Sequence, residues 1–82
     1  MTKVMLSPAA AEWLSNAEPP VREQMRKRLH LAGDDPEHFL SSLTNSPYYR
    51  LRAGNYRALI DWDRKDDVLL VLAIDHRRSF YD

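Results

Sequence analysis

The chain contains no cysteine, only two glycines and no excess of either charge. Without cysteine there is no disulfide framework and no thiolate metal site, which suits a reducing cytoplasm. Twelve Lys and Arg balance twelve Asp and Glu, so the global positive field of a nucleic-acid binder is missing and any attraction for an anion has to be local. Long apolar runs are lacking too. The longest, Val68 to Ile74, falls far short of the ~20 residues a membrane-spanning helix needs, and no signal peptide is expected ahead of the first strand. A soluble, cytoplasmic protein with no membrane partner is the expectation. Its 82 residues should bury about 60–65% of the unfolded surface, which allows one core in one domain over residues 1–82.

What is present divides into helical and extended segments. Thr2 to Leu6 alternates weakly and stops at Ser7-Pro8, the pattern of a helix N-cap followed by proline in the first turn. Ala10, Trp13, Leu14 and Ala17 then make a narrow apolar stripe. Pro19-Pro20 closes that helix and opens the next. In the second helix Val21, Met25, Leu29 and Ala32 keep helical spacing, Arg22, Arg26, Lys27 and Arg28 take the other faces, and Gly33 is placed as the C′ residue. A loop with one helical turn after Pro36 is expected over residues 34–47, pinned by Phe39, Leu40 and Leu43. The unalternating run from Val68 to Ile74 suggests a central strand covered on both faces. The order β-α-α-β-β-β describes an α+β domain, a mainly antiparallel sheet packed on two helices, with its other face free for a ligand.

The most specific stretch is Tyr49-Arg50-Leu51-Arg52-Ala53-Gly54-Asn55-Tyr56-Arg57. Gly54-Asn55 suits a type II′ hairpin, whose first central residue takes positive φ. In that register Arg52 lies opposite Arg57, and the two-residue period brings Arg50 to the same face. Tyr49, Leu51, Ala53, Tyr56, Ala58, Ile60 and Trp62 fall together on the other face. Like charges directly opposed cost up to ~1 kcal/mol, so an arginine pair with no acid in residues 48–60 points to an anion as ligand. Trp13, Trp62 and Phe39 read as core, His30 and His38 as surface residues without metal-ligand spacing, and Asp61 and Asp63 as structural acids flanking a turn rather than paired catalytic carboxylates.

This stretch, the apolar strand after it, and the closing Ile74-Asp75-His76-Arg77 with Tyr81 resemble the RelE/ParE toxin superfamily over nearly the whole chain. RelE-type members cleave messenger RNA, commonly in the ribosomal A site. ParE-type members share the fold and poison DNA gyrase. The resemblance to RelE-type toxins implies a metal-independent endoribonuclease without cofactor, working by 2′-hydroxyl attack on the neighbouring phosphorus. It implies that Arg57 and Arg77 steady the phosphate, that Tyr81 is the general base with His76 ranked behind it, and that Arg50 binds the RNA backbone; Arg52, on the same hairpin face, is read as a further phosphate contact or as a surface charge that supports the strand. The implied partners are a cognate antitoxin, messenger RNA and the ribosome, with no sequence-specific DNA contact by this chain. Two alternatives remain at this point: a ParE-like gyrase inhibitor, and a degenerate toxin homologue that only binds its antitoxin.

Overall fold

The computed structural model describes residues 2–76. The chain runs β1 (Lys3–Leu6), α1 (Pro8–Asn16), α2 (Pro19–Asp34), α3 (Pro36–Phe39), β2 (Leu40–Ser42), β3 (Tyr49–Ala53), β4 (Tyr56–Asp63) and β5 (Val68–His76). Its five strands form one sheet in the order β1-β5-β4-β3-β2, with β1 parallel to β5 and every other pair antiparallel. The α+β class and the helical turn after Pro36 are as expected.

Each helix starts where local chemistry favours it. The Ser7 hydroxyl accepts from the Ala10 N–H at 3.1 Å and donates to the Leu72 carbonyl at 2.8 Å, so the cap of α1 also anchors it to β5. Pro19 and Pro20 open α2. From α2, Arg22 reaches back to the end of α1, its Nε donating to the Leu14 carbonyl at 2.9 Å and its Nη2 to the Ala17 carbonyl at 2.8 Å. That satisfies carbonyls a helix end leaves without partners. α1 lies against β5, and α2 contacts β1 and β3. Between them and the sheet sit Ala10, Leu14, Met25, Leu29, Ala32, Leu51, Ala58, Ile60, Leu69 and Val71, all buried.

Three expectations need correction. A fifth strand, β2, pairs with β3 at the sheet edge, where a loop was expected; its three residues are too few to show a period. Gly33 is not a C′ residue, because α2 continues through it to Asp34 and its φ is not positive. Its missing side chain instead lets β1 approach: a Cβ there would meet Val4 Cγ2 at 3.0 Å and the Thr2 carbonyl oxygen at 3.2 Å. Finally, β5 is interior to the sheet but not covered on both sides, since Leu69, Val71 and Ile74 are buried whereas Val68, Leu70, Leu72 and Ala73 are half-buried.

The last point hides a change of register. Leu59 pairs with Ala73 and Ile60 with Val71, so Leu72 is an extra residue, a bulge in β5. Beyond it the inward positions shift by one residue. Ile74 and His76 turn toward the helices, and Asp75 turns away from them.

Candidate functional site: the arginine face

The hairpin forms in the register expected from Gly54-Asn55. Ala53 pairs with Tyr56 and Arg52 with Arg57, Gly54 has φ +62, and Asn55 does not share its positive φ. Arg50, Arg52 and Arg57 therefore share the face turned away from the helices, with Leu51, Ala53 and Ala58 buried on the other side. Helix α2 holds the hairpin in place. Arg28 Nε donates to the Arg52 carbonyl at 3.0 Å, and the Gln24 amide lies against Gly54, where a Cβ would come within 2.7 Å of Nε2.

The three arginines differ in exposure. Arg52 is exposed and Arg50 half-buried, but Arg57 is only 2% exposed. The face expected to be free is thus closed at its central arginine. The Arg57 side chain lies back over the turn, its Nη1 donating long hydrogen bonds to the Tyr56 carbonyl at 3.4 Å and the Gly54 carbonyl at 3.5 Å. Arg50 and Arg57 line one cavity of about 80 Å³ together with Leu43, Ala58 and Leu59. Two guanidinium-bearing side chains at a small, partly apolar cavity can bind an oxyanion through paired donors, and lowered hydration makes each contact stronger than it would be in water.

Of the other expected site residues, His76 is not with them. It pairs with Tyr56 on the helix-facing side, ring edge against ring at 5.4 Å, and Tyr56 meets Trp13 in the same manner at 5.4 Å. The bulge at Leu72 is the reason: it reverses which of Asp75 and His76 faces the arginines. Arg77 and Tyr81 lie outside the described residues. Asp75, which sequence reasoning passed over, stands opposite Arg57 on the arginine face and is exposed. Its Oδ1 accepts from the His76 N–H at 2.7 Å. An acid therefore does sit beside the arginines, contributed by a strand remote from them in sequence. Leu43, expected only to anchor the loop, forms a wall of the cavity.

Further along β4, Asp63 belongs to the turn that follows: its Oδ1 accepts from the N–H groups of Lys65 and Asp66 at 3.0 Å each. Trp62 packs edge to ring with Tyr49 at 5.3 Å, with the Arg64 guanidinium 3.9 Å from its ring centre. Among the described residues no group of three or more His, Asp or Glu could hold a metal ion, and no helix is long and apolar enough to cross a membrane. A second, larger concavity of about 900 Å³ opens between β1, α1 and α2, floored by Val4, Leu6, Leu14 and Leu29 and edged by Arg22 and Arg26.

Over residues 7–81 the sequence matches the model of a family described as the ParE toxin of type II toxin-antitoxin system, parDE. No curated protein matches it. Among solved structures, the chain is similar to one in the RelBE2 toxin-antitoxin complex from Mycobacterium tuberculosis, with a TM-score of 0.84 and 20% identity over 93% of this chain and 98% of that one. A chain of the intact Escherichia coli RelBE complex gives 0.79 and 22% over 93% and 96%. The archaeal RelE-RelB complex from Pyrococcus horikoshii OT3 gives 0.78 and 22% over 94% and 97%. At such identities the likeness is one of fold.

Proposed function

The chain belongs to the RelE/ParE superfamily of type II toxins, and from that premise we propose that its arginine face cleaves messenger RNA. One observation carries this reading: Arg50 and Arg57 line a single cavity, and Arg52 stands directly across from Arg57 on the same face. Asp75 faces Arg57 from β5 and offsets part of this charge, and the Arg52–Arg57 opposition stands on the β3 side of β4.

In the proposed reaction the 2′-hydroxyl loses its proton to a base, its oxygen bonds to the adjacent phosphorus, and the bond from phosphorus to the 5′-oxygen breaks as that oxygen takes a proton. A 2′,3′-cyclic phosphate and a 5′-hydroxyl result. Arg57 and Arg50 steady the charge that grows on the phosphoryl oxygens, and Arg52 holds the neighbouring backbone. Arg77 and Tyr81 are assigned as second phosphate contact and general base. Their support is the match of their positions to RelE-type toxins. An unperturbed phenol, pKa ~10, is a poor base at neutral pH, so this role requires guanidinium groups close enough to favour phenolate. His76 is left out of this set because it faces the helices.

A second reading has its own support. The family model that matches carries the ParE description, which favours inhibition of DNA gyrase without nuclease chemistry. In either case an antitoxin is the proposed partner, in keeping with the toxin-antitoxin complexes among the structural neighbours. The concavity beside β1 and the free edge of that strand are its proposed seat, since an open edge accepts an added strand.

The deciding experiment maps messenger RNA ends after brief induction of the intact protein and of Arg57→Ala, beside a gyrase supercoiling assay. Cuts within translated codons that fall at least ~10²-fold in rate with Arg57→Ala, in a variant that still melts cooperatively, support the nuclease. Intact transcripts together with loss of supercoiling support the gyrase reading.

A further inference from the structure

The ladder between β2 and β3 runs one step beyond the strands themselves. Past the Ser42–Tyr49 pair, the Leu43 N–H donates to the Tyr48 carbonyl at 3.2 Å, which sets residues 43 and 48 opposite each other. Side chains alternate between faces along extended backbone, so Tyr48 falls in a row with Arg50 and Arg52. Leu43, its cross-strand partner, is already on that side, lining the arginine cavity. The row therefore reads aromatic, cation, cation.

Tyr48 is open to solvent at 36%. Of the three large apolar side chains left exposed among the described residues it alone is aromatic, and the other two, Met5 and Leu6, lie on β1 at the far edge of the sheet. Its backbone is held rather than loose. The Tyr48 N–H donates to the Ser46 hydroxyl at 3.1 Å, Asn45 turns the loop at φ +57, and Pro47 restricts the residue before it. A ring presented on a built loop, with an arginine two residues along the strand and so about 7 Å away, has the components that single-stranded nucleic acid requires: a cation for the phosphate and a flat apolar surface for the base.

We propose that Tyr48 is a stacking platform for an unpaired base of single-stranded RNA, placed beside the arginines that hold the backbone. This rests on the RNA reading of the arginine face. It also accounts for how a chain of zero net charge could hold RNA, because stacking adds affinity that does not depend on long-range attraction. The two contributions differ in salt response. Each phosphate contact steepens the fall of affinity with salt by about 0.7 in the logarithmic slope, and stacking leaves the slope alone.

The test measures binding of a short unstructured RNA oligonucleotide, and of inorganic polyphosphate as competitor, at several salt concentrations. The proteins compared are the intact chain, Tyr48→Ala, Tyr48→Phe and Arg52→Ala, each checked by thermal melting. Tyr48→Ala is expected to bind RNA roughly 5- to 100-fold more weakly, the range of one base–aromatic stack, with its salt slope and polyphosphate affinity unchanged. Tyr48→Phe should stay within about twofold of the intact protein, since stacking uses the ring and not the hydroxyl. Arg52→Ala should do the reverse and flatten the slope by about 0.7. RNA affinity untouched by Tyr48→Ala overturns the stacking role while leaving the RNA reading intact, and an equal loss toward polyphosphate overturns it in favour of a charge or folding effect. An intact protein that binds no RNA overturns the RNA reading and the platform with it.

Discussion

Gly54 carries more of the site than its size suggests. With φ at +62 it is where β3 reverses into β4, and the reversal sets Arg52 opposite Arg57. Any L side chain there would be strained in its backbone and would crowd Gln24. Gly54→Ala is expected to destabilise the protein by about 1 kcal/mol or more, read as a fall in the urea midpoint with unchanged slope. In a Gln24→Ala background the crowding is relieved and the φ strain is not, so most of the loss should persist. A midpoint equal to the parent's would mean that the turn tolerates a side chain. Arg57 shows the reverse economy: a side chain that sequence places on an open face is folded down over the turn, near the carbonyls of Gly54 and Tyr56.

At the scale of elements, Ser7 joins three of them, because its hydroxyl caps α1, bonds the bulged Leu72 of β5, and follows directly on β1. Ser7→Ala removes both hydrogen bonds and should lower stability by about 1–2 kcal/mol. The measurement is chemical denaturation, and Ser7→Thr, which keeps the hydroxyl, should recover most of the loss. The helix starts were legible because Ser7-Pro8 and Pro19-Pro20 are strong local signals, and the hairpin was legible because Gly54-Asn55 admits few turns. β2 was not, since Leu40-Ser41-Ser42 has no period and gains its strand character from pairing with β3. The bulge was hidden for a different reason. Between Val68 and Ile74 every residue is apolar, so adding one leaves no mark on the pattern, yet it decides that Asp75 rather than His76 faces Arg57. The shared face of the arginines was thus readable from sequence, and the acid that β5 sets beside them was not.

For the molecule as a whole, the balance of twelve bases against twelve acids bears on how it meets a polyanion. Arg50, Arg52 and Arg57 gather on one face across β3 and β4, with Asp75 opposite Arg57 on β5. If RNA contacts those three arginines, the logarithmic salt slope of binding should be about −2, from three contacts at about 0.7 each. A slope near zero would mean that the patch does not hold phosphates, and one beyond about −4 would require the basic side of α2, with Arg26 and Lys27, to join in.

The pairing of β1 with β5 also dictates an order of events in a growing chain. Lys3 finds its partner in Val68, and Thr2 hydrogen-bonds Asp67 across 65 positions of sequence. Contacts so distant close late, because the loop entropy must be overcome before they form. At synthesis rates of about 5–20 residues per second, the first strand waits several seconds for its neighbour. The arginine hairpin needs only its own few residues, and hairpins sample their turn within about 1–10 microseconds. A nascent chain therefore displays its cationic turn before the strand that completes the sheet has anywhere to dock.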